Sequence, residues 1–511
     1  MVSLKKLFLK YGNHVIQNTR TKHCWIIPKG LDIGAKVYNC VTKRKEPVII
    51  RNKQLVTWYT CGPTVYDSSH MGHASCYVKI DIIQNILKNY FNCNLVTVMN
   101  ITDIDDKIIK KANDSKCAYK EIAEKYEKEF WDDLKDLGIN KPNIVLRVTN
   151  HISLIIDFVK KLEENGQAYK GSDNSVYFSV EKFQHYGKLH NISLSSTDQE
   201  SNVKKSNLDF ALWKNSKEGE PFWNSPWGKG RPGWHIECSA LASHFLGKSI
   251  DFHAGGIDLR FPHHENEEAQ SCALHKTCQW VNYWLHTGHL NVCPSEKMSK
   301  SLGNTILIRD MLKKTSADIF RMACIMSPYQ NHMEYSSELL ITAENIYNTY
   351  KNFFVSCDAY EKGYLKGTVN SDILNELLCQ SVAKVHIALC DNFDTPSVIK
   401  ILNELVSVTN AMMHTTASSD ISYSLTSVCA VKNYLLNILN LFGLNFDMKS
   451  TMSEHFTEVL DILNNFRQDV RTIGLSEKNS NILKLCDNVR DGIKKHGVII
   501  KDHGKISSWS V

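Results

Sequence analysis

A chain of 511 residues with 43% hydrophobic and 22% charged residues is a folded globular protein, which excludes disordered and fibrous classes. No apolar run approaches the roughly 18 residues a bilayer span needs, so no membrane partner is expected. A net charge of +6 admits a polyanionic partner without demanding one, and sixteen cysteines without framework spacing argue for reduced thiols over a disulfide scaffold. The segment 1–31 carries Lys5, Lys6, Lys10, Arg20, Lys22 and Lys29 and no acid before Asp32, with Leu4, Leu7, Phe8 and Tyr11 at helical spacing. That pattern predicts a mitochondrial targeting segment and a matrix location. Lys10 interrupts the apolar core that a secretory signal needs, and a plain basic tail is the bland alternative.

"LVTWYTCGPTVYD" begins as a β-rich run and breaks at Gly62-Pro63, leading through "DSSHMGHAS" into "YVKIDIIQNILKNYF", where Val78, Ile82, Ile86 and Tyr90 recur every four residues. A second β-branched run, "CNLVTVMNITDIDDKIIKKA", completes a strand, helix, strand unit. Such a unit favours a parallel sheet with its ligands at the carboxyl ends of the strands, near Cys61 and His70 to His73. From about 112 to 205 the chain is charged and mainly helical, an insertion with Ala123, Tyr126, Phe130, Leu134 and Leu137 on one face and a stop at Gly138 and Pro142. Motif-bearing, β-rich sequence resumes at "DFALWK" and closes with "EKMSKSLGN". Beyond about 345 the periodicity is helical. One stripe is Leu374, Leu378, Val382, Val385 and Leu389, a second is Val398, Ile401, Leu405, Val408 and Met412, and a last is Ile482, Leu485, Val489 and Ile493.

The fold class expected is an α/β, Rossmann-like parallel-sheet catalytic domain with a mainly helical insertion, followed by an all-α C-terminal bundle. Its divisions are a targeting segment at 1–31, the sheet domain at 32–310, a connecting helical segment at 311–345 and the bundle at 346–511.

His263 and Glu267 in "FPHHENEEAQ" are four apart in a predicted helix and share a face, so together they suit one metal ion, whereas His264 and Glu265 point elsewhere. Cys61 and Cys238 complete a donor set that zinc accepts, although sixteen cysteines and 21 histidines leave the combination open on spacing alone. Lys297 and Lys300 of "KMSKS" lie in a glycine- and serine-bearing loop and suit a mobile clamp on a polyphosphate. "GGID" adds a close backbone approach and a carboxylate, Asp258, for ribose hydroxyls. For "HMGH", a metal site, a nucleotide grip and a surface pair all stay open.

The blocks "CGPTVYD", "NITDIDDKII", "FALWK", "RPGWHIECS", "GGIDLRFPHHENE" and "EKMSKSLGN", in this order, resemble the class I aminoacyl-tRNA synthetases. Specifically, from about 38 to 505 they resemble the cysteinyl-tRNA synthetase family in its mitochondrial form. The resemblance implies that His70 and His73 match the HIGH signature, with Met71 in place of isoleucine, and act on ATP phosphates with Gly72 making room for adenine. It implies catalytic and ATP-binding roles for Lys297 and Lys300 and ribose binding by Asp258. It places one Zn2+ per chain on Cys61, Cys238, His263 and Glu267, and a cysteine pocket on Gly62, Thr64, Thr102 and Trp234. The partners implied are L-cysteine, ATP with Mg2+ and tRNA(Cys), the last on the bundle, with the chain acting as a monomer. Zinc would favour thiolate over the near-isosteric hydroxyl of serine, a choice that shape alone makes poorly. Two other readings stand beside this one. A cysteine:amine ligase shares the chemistry but has no use for the bundle, and a non-catalytic RNA-binding relative should have lost a motif that is here intact. The resemblance also admits pyridoxal-phosphate (PLP)-dependent cysteine persulfide synthesis on Lys107 and Lys110 of "KIIK" or on the KMSKS lysines, for which spacing offers no signal.

Overall fold

The computed structural model describes residues 23–190, 203–293, 296–297, 305–365, 367–415, 425–446, 454–503 and 506–510. Most of the expected targeting segment, residues 1–22, lies outside the described residues, as does Lys300. An antiparallel hairpin of β1 (Leu31–Asn39) and β2 (Arg44–Ile50) comes first and buries Val37, Val48 and Ile50. β3 (Val56–Thr60) follows, with Trp58 and Tyr59 fully buried, and runs through residues 61–69 into α1 (Met71–Asn85). β4 (Leu95–Ile101), α2 (Asp106–Ser115), α3 (Tyr119–Asp136), β5 (Ile144–Arg147) and α4 (Ile152–Glu164) come next. α3 buries Ala123, Tyr126, Phe130 and Leu134 as its periodicity predicts, and Gly138 ends it with φ +67°.

The stretch 112–205 is more than a helical insertion. Its β5 pairs in parallel with β4, and β6 (Ala168–Lys170) and β7 (Val176–Phe178) start an antiparallel sheet. β8 (Phe210–Asn215), β9 (Trp223–Ser225) and β10 (Gly228–Pro232) complete that sheet in the order β6-β7-β8-β10-β9. After it come α5 (Trp234–Leu246), β11 (Ile250–Gly256), α6 (Glu265–His275) and β12 (Val281–Thr287).

β12-β11-β3-β4-β5 form one sheet in which every pairing is parallel. β11 and β12 are buried on both faces, as parallel strands covered by helices must be. The chain moves from β3 to β4 on one side and later returns to place β11 on the other. The order therefore reverses between β3 and β11, where a doubly wound sheet opens a crevice at its carboxyl ends.

β13 (Leu290–Cys293), β14 (Glu296–Lys297), α7 (Ile308–Leu312), α8 (Ala317–Ile325) and β15 (Met333–Glu334) lead to a mostly helical C-terminal region. That region holds α9 (Ser337–Glu361), α10 (Ser371–Cys390), α11 (Thr395–His414), α12 (Leu425–Leu441), α13 (Glu454–Ser476) and α14 (Ser480–Lys494). It closes with a hairpin of β16 (Ile499–His503) and β17 (Ile506–Ser510), which helical periodicity does not announce. Arg321 of α8, 1% exposed, ties the two halves together: it donates to Asp81 Oδ2 of α1 at 2.6 Å and to the carbonyls of Leu137, Gly138 and Phe442.

The C-terminal stripes need correction in detail. α11 buries Val398, Leu402, Leu405, Val406, Thr409 and Met413, a face rotated from the expected one, because it packs on α9 and α10 together. Val382 of α10 is 42% exposed, and in α14 Leu485 and Val489 are 62% and 40% exposed while Cys486 is buried.

Candidate active site and metal centre

The carboxyl ends of three parallel strands bring the sequence-predicted residues to one edge of the sheet. Cys61 directly follows β3, Thr102 follows β4, and the Gly255-Gly256-Ile257-Asp258 turn ends β11. Cys238 comes from α5 and His263 and Glu267 from the entry into α6. Cys61, Cys238, His263 and Glu267 are all buried and place one ligand atom each within 4.8 Å of the others. Cys61 Sγ lies 3.7 Å from Cys238 Sγ and 3.3 Å from Glu267 Oε1, and His263 Nε2 lies 3.0 Å from the same oxygen. Donors around a tetrahedral zinc at 2.0–2.3 Å are about 3.3–3.8 Å apart; the two contacts of Cys61 match that spacing and the 3.0 Å contact of His263 with Glu267 is slightly shorter, so two thiols, an imidazole and a carboxylate suit that ion in chemistry and nearly in size.

The charge pattern points the same way. Burial pushes the Cys61 thiol well up, and its hydrogen bond to Cys238 adds to that. Burial also acts against the Cys238 thiolate, but the Cys61 proton and the His263 charge hold it down to about 6. For Glu267, His253 and His263 overcome the cost of burial and hold the carboxyl at about 2. Burial opposes a charge on His263, yet Glu267 and Cys238 raise it to about 10. The Cys238 thiolate and the Glu267 carboxylate are thus ready donors, and a divalent cation would take the place of the protons on Cys61 and His263.

His264 does not point elsewhere. Its Nε2 lies 3.5 Å from Cys61 Sγ, and a second donor group joins Cys61, His253, His264 and Glu267. The reason is local: Arg260–His264 forms a π-type turn with Phe261 extended at φ −143°, so α-helical spacing does not set the directions of 263 and 264. Glu265 does turn away, and accepts the amides of Gly187, Lys188 and Leu189. His253 Nε2 is 3.0 Å from Glu267 Oε2, His235 Nδ1 is 3.0 Å from His263 Nδ1, and His286 Nε2 is 2.9 Å from His264 Nδ1. These orienting contacts around the donors escape sequence reading. The one available signal is His253 itself, a histidine inside "IDFHAGG", a run buried on both faces.

"HMGH" is a helix cap. His70 precedes α1 with φ −112° and ψ 169°, its Nδ1 accepts the Gly72 amide at 3.1 Å, and His73 Nδ1 accepts the His70 amide at 3.2 Å. The rings stack at 3.9 Å. With each Nδ1 accepting, the neutral rings carry their protons on Nε2 and present donors at a helix N-terminus, which suits an anion. A Cβ on Gly72 would come within 2.9 Å of the His70 ring, so glycine is needed by the cap itself. Met71 is fully buried and donates its amide to Ile306; its side chain is core packing, so its departure from isoleucine leaves the motif's surface unchanged.

Asp258 is half exposed and 4.0 Å from His289 Nδ1. Lys297 lies in β14 opposite Asn291. Trp234 stacks on His263 at 4.3 Å. Thr64 bridges Thr102 in parallel, and a Cβ on Gly62 would sit 1.6 Å from the Asn100 carbonyl oxygen, which only glycine permits. Lys107 lies over the Tyr66 ring at 5.3 Å and Lys110 is exposed on α2.

Comparison with known proteins places this geometry. The family model described as "tRNA synthetases class I (C) catalytic domain" matches residues 47–345. The fold resembles Mycobacterium tuberculosis methionyl-tRNA synthetase in complex with methionyl-adenylate, at a TM-score of 0.59 and 14% identity over 80% of this chain and 94% of that one. A putative arginyl-tRNA synthetase from Campylobacter jejuni aligns at a TM-score of 0.55 and 11% identity, over 78% of this chain and 94% of that one. The parallel sheet with its carboxyl-end site thus has the class I aminoacyl-tRNA synthetase fold. In sequence the chain is 40% identical to a "Probable cysteine--tRNA ligase, mitochondrial" of Xenopus tropicalis, over 96% of this chain and 91% of the relative. It is also 40% identical to a "Cysteine--tRNA ligase, cytoplasmic" of Dictyostelium discoideum (92% and 76%) and to a "Cysteine--tRNA ligase" of Encephalitozoon cuniculi (93% and 98%). The chain belongs to the cysteine-tRNA ligase family, enzymes of class I.

Proposed function

We propose that this enzyme activates L-cysteine with ATP as cysteinyl-adenylate and transfers it to tRNA(Cys) for mitochondrial translation, with one zinc ion on Cys61, Cys238, His263 and Glu267 selecting the substrate. The observation that carries this reading is the buried convergence of those four side chains at the sheet crevice. When bound, zinc supplies a preference for thiolate over hydroxyl. The protein's own residues do the rest. His70 and His73 offer Nε2 donors to the phosphates of ATP–Mg2+ at the start of α1, and Lys297 with Lys300 bring positive charge to the α-phosphate as the carboxylate attacks. Asp258 accepts ribose hydroxyls, while Gly62, Thr64, Thr102 and Trp234 shape the amino-acid pocket. The C-terminal region from 346 onward takes the anticodon, with lysine and arginine on phosphates, and the enzyme acts as a monomer. The acid-free basic segment 1–31 and the mitochondrial relative support the matrix location.

Cysteine-dependent ATP–pyrophosphate exchange tests the activity. Exchange with cysteine and little with serine in zinc-replete protein is expected. No exchange overturns the activity, and equal exchange with serine overturns the zinc selectivity. A reporter fused behind residues 1–31 that stays in the cytosol overturns the location.

A further inference from the structure

β12 ends the parallel sheet on one side, and an edge strand leaves backbone groups that need cover. Part of that cover comes from the other end of the chain. The Trp25 indole N–H donates to the Asn282 carbonyl of β12 at 2.9 Å, and its ring packs on Tyr283 with centroids 5.8 Å apart. Gln279, 8% exposed just before β12, holds the next residue at both backbone groups. Its Oε1 accepts the Ile26 amide at 2.8 Å and its Nε2 donates to the Ile26 carbonyl at 2.9 Å. The same Nε2 donates to Asn282 Oδ1 at 3.1 Å, which ties this grip to β12. Trp25 also lies on the residue that anchors the β1–β2 hairpin: the Tyr283 hydroxyl accepts the Ile49 amide at 2.7 Å and donates to the Pro47 carbonyl at 2.8 Å.

Chain ends are ordinarily loose unless something ties them down. Here three hydrogen bonds and a ring contact bind residues 25 and 26 to positions more than 250 residues away. The basic, acid-free segment expected at 1–31 therefore has two parts of different character. Lys5, Lys6, Lys10, Arg20 and Lys22 carry most of its charge and all precede Trp25, whereas Trp25 and Ile26 belong to the sheet. A segment that serves import is expendable once import is over. One that covers a sheet edge is needed for as long as the protein is folded.

We infer that the targeting segment is removed by hydrolysis of one peptide bond on the amino-terminal side of Trp25, and that the chain from Trp25 onward stays as edge cover of the catalytic sheet. This rests on the proposed matrix location. The step calls for an endoprotease that accepts a basic stretch without acids. Water adds across the bond, leaving a carboxylate on the released peptide and a new α-ammonium on the enzyme. A cut after Ile26 would remove all three hydrogen bonds and bare the Asn282 carbonyl and the Tyr283 ring.

The test expresses the full chain with a carboxyl-terminal tag in a eukaryotic cell, recovers it from isolated mitochondria and reads its first residue. A chain that has lost Lys5, Lys6 and Lys10 and begins no later than Trp25 is expected. A matrix protein that begins at Ile26 or beyond, or that keeps the basic segment, overturns the inference. A chain found only in the cytosol with its segment intact overturns the location reading instead, and truncation then decides the edge cover. A chain begun at His23 should unfold within about 1 °C of the full chain, one begun at Lys29 roughly 3–6 °C lower, and Trp25→Ala in the full chain should show part of that loss. Equal midpoints for the two truncated chains overturn the edge cover. If the chain begun at Lys29 does not fold, Trp25→Ala decides, and an unchanged midpoint in that variant overturns it.

Discussion

Two helices of this molecule invert the usual placement of side chains, in opposite senses. α6, at the crevice, buries Glu265, Asn266, Glu267 and Glu268; α13, near the end of the chain, exposes Val459, Ile462, Phe466 and Ile473 by 56%, 69%, 66% and 50% and buries Asn464 and Arg467. In α6 the buried charges have built partners: Glu265 holds three amides, Glu268 pairs with Lys188 at 2.7 Å, and Glu267 meets two histidines and a cysteine. In α13, Arg467 donates to both oxygens of Asp502 at 2.7 and 3.0 Å and Asn464 donates to the Ser507 carbonyl, which docks the β16–β17 hairpin. Burying a charge is tolerable only where its partners are placed, so each inversion marks a place where polar geometry, rather than apolar area, sets the local structure. In α6 that geometry builds the proposed metal site, and in α13 it docks a hairpin.

Substitutions can break or sharpen this contrast. Cys61→Ala should remove zinc, with more than about 100-fold loss of metal affinity, and abolish cysteine-dependent exchange; metal analysis and the exchange assay check it. Arg467→Ala removes the paired hydrogen bonds to Asp502 and leaves it Arg471 at 3.4 Å and the Ser507 hydroxyl, and should destabilise the C-terminal hairpin by about 1–3 kcal/mol, read by amide hydrogen exchange across 499–510, while exchange activity with cysteine persists. His253→Gln disturbs the orientation of Glu267 and should weaken zinc binding by about 10- to 100-fold in a chelator competition.

A pH titration separates the regions further. Arg467, Ser507 and Arg471 outweigh the burial that would raise the Asp502 carboxyl and hold it at about 2 in the fold, below its ordinary value of 3.8. A depressed acid stabilises the fold fully above its unfolded value and loses that contribution as pH falls through the folded value. Protection of the β16–β17 amides should therefore decline between about pH 4 and pH 2. The smallest effect is expected at the exposed stripe, where Ile462→Ser should change stability by no more than about 0.5 kcal/mol in urea unfolding.

The parts legible in the sequence are those with a local period or a short motif. The four-residue repeat of Val78, Ile82 and Ile86 announces α1, and the spacing of His263 and Glu267 anticipates their 3.0 Å contact. Helical spacing misplaces His264 because the π-type turn before α6 breaks the period. The stripe on α11 was rotated because the buried face depends on which helices lie beside it, a fact no single helix carries.

By itself the sequence determined the parallel strand, helix, strand pattern, the helical C-terminal region and the candidate donor chemistry of the cysteine and histidine blocks, since period and side-chain type are properties of near neighbours. Tertiary structure alone decided that Cys61 meets Cys238, 177 residues away, and that His253 and His264 complete their surroundings. Those contacts exist because β3, β4 and β11 are neighbours in one sheet, and strand order is set by the joint packing of all the strands and helices rather than by any segment.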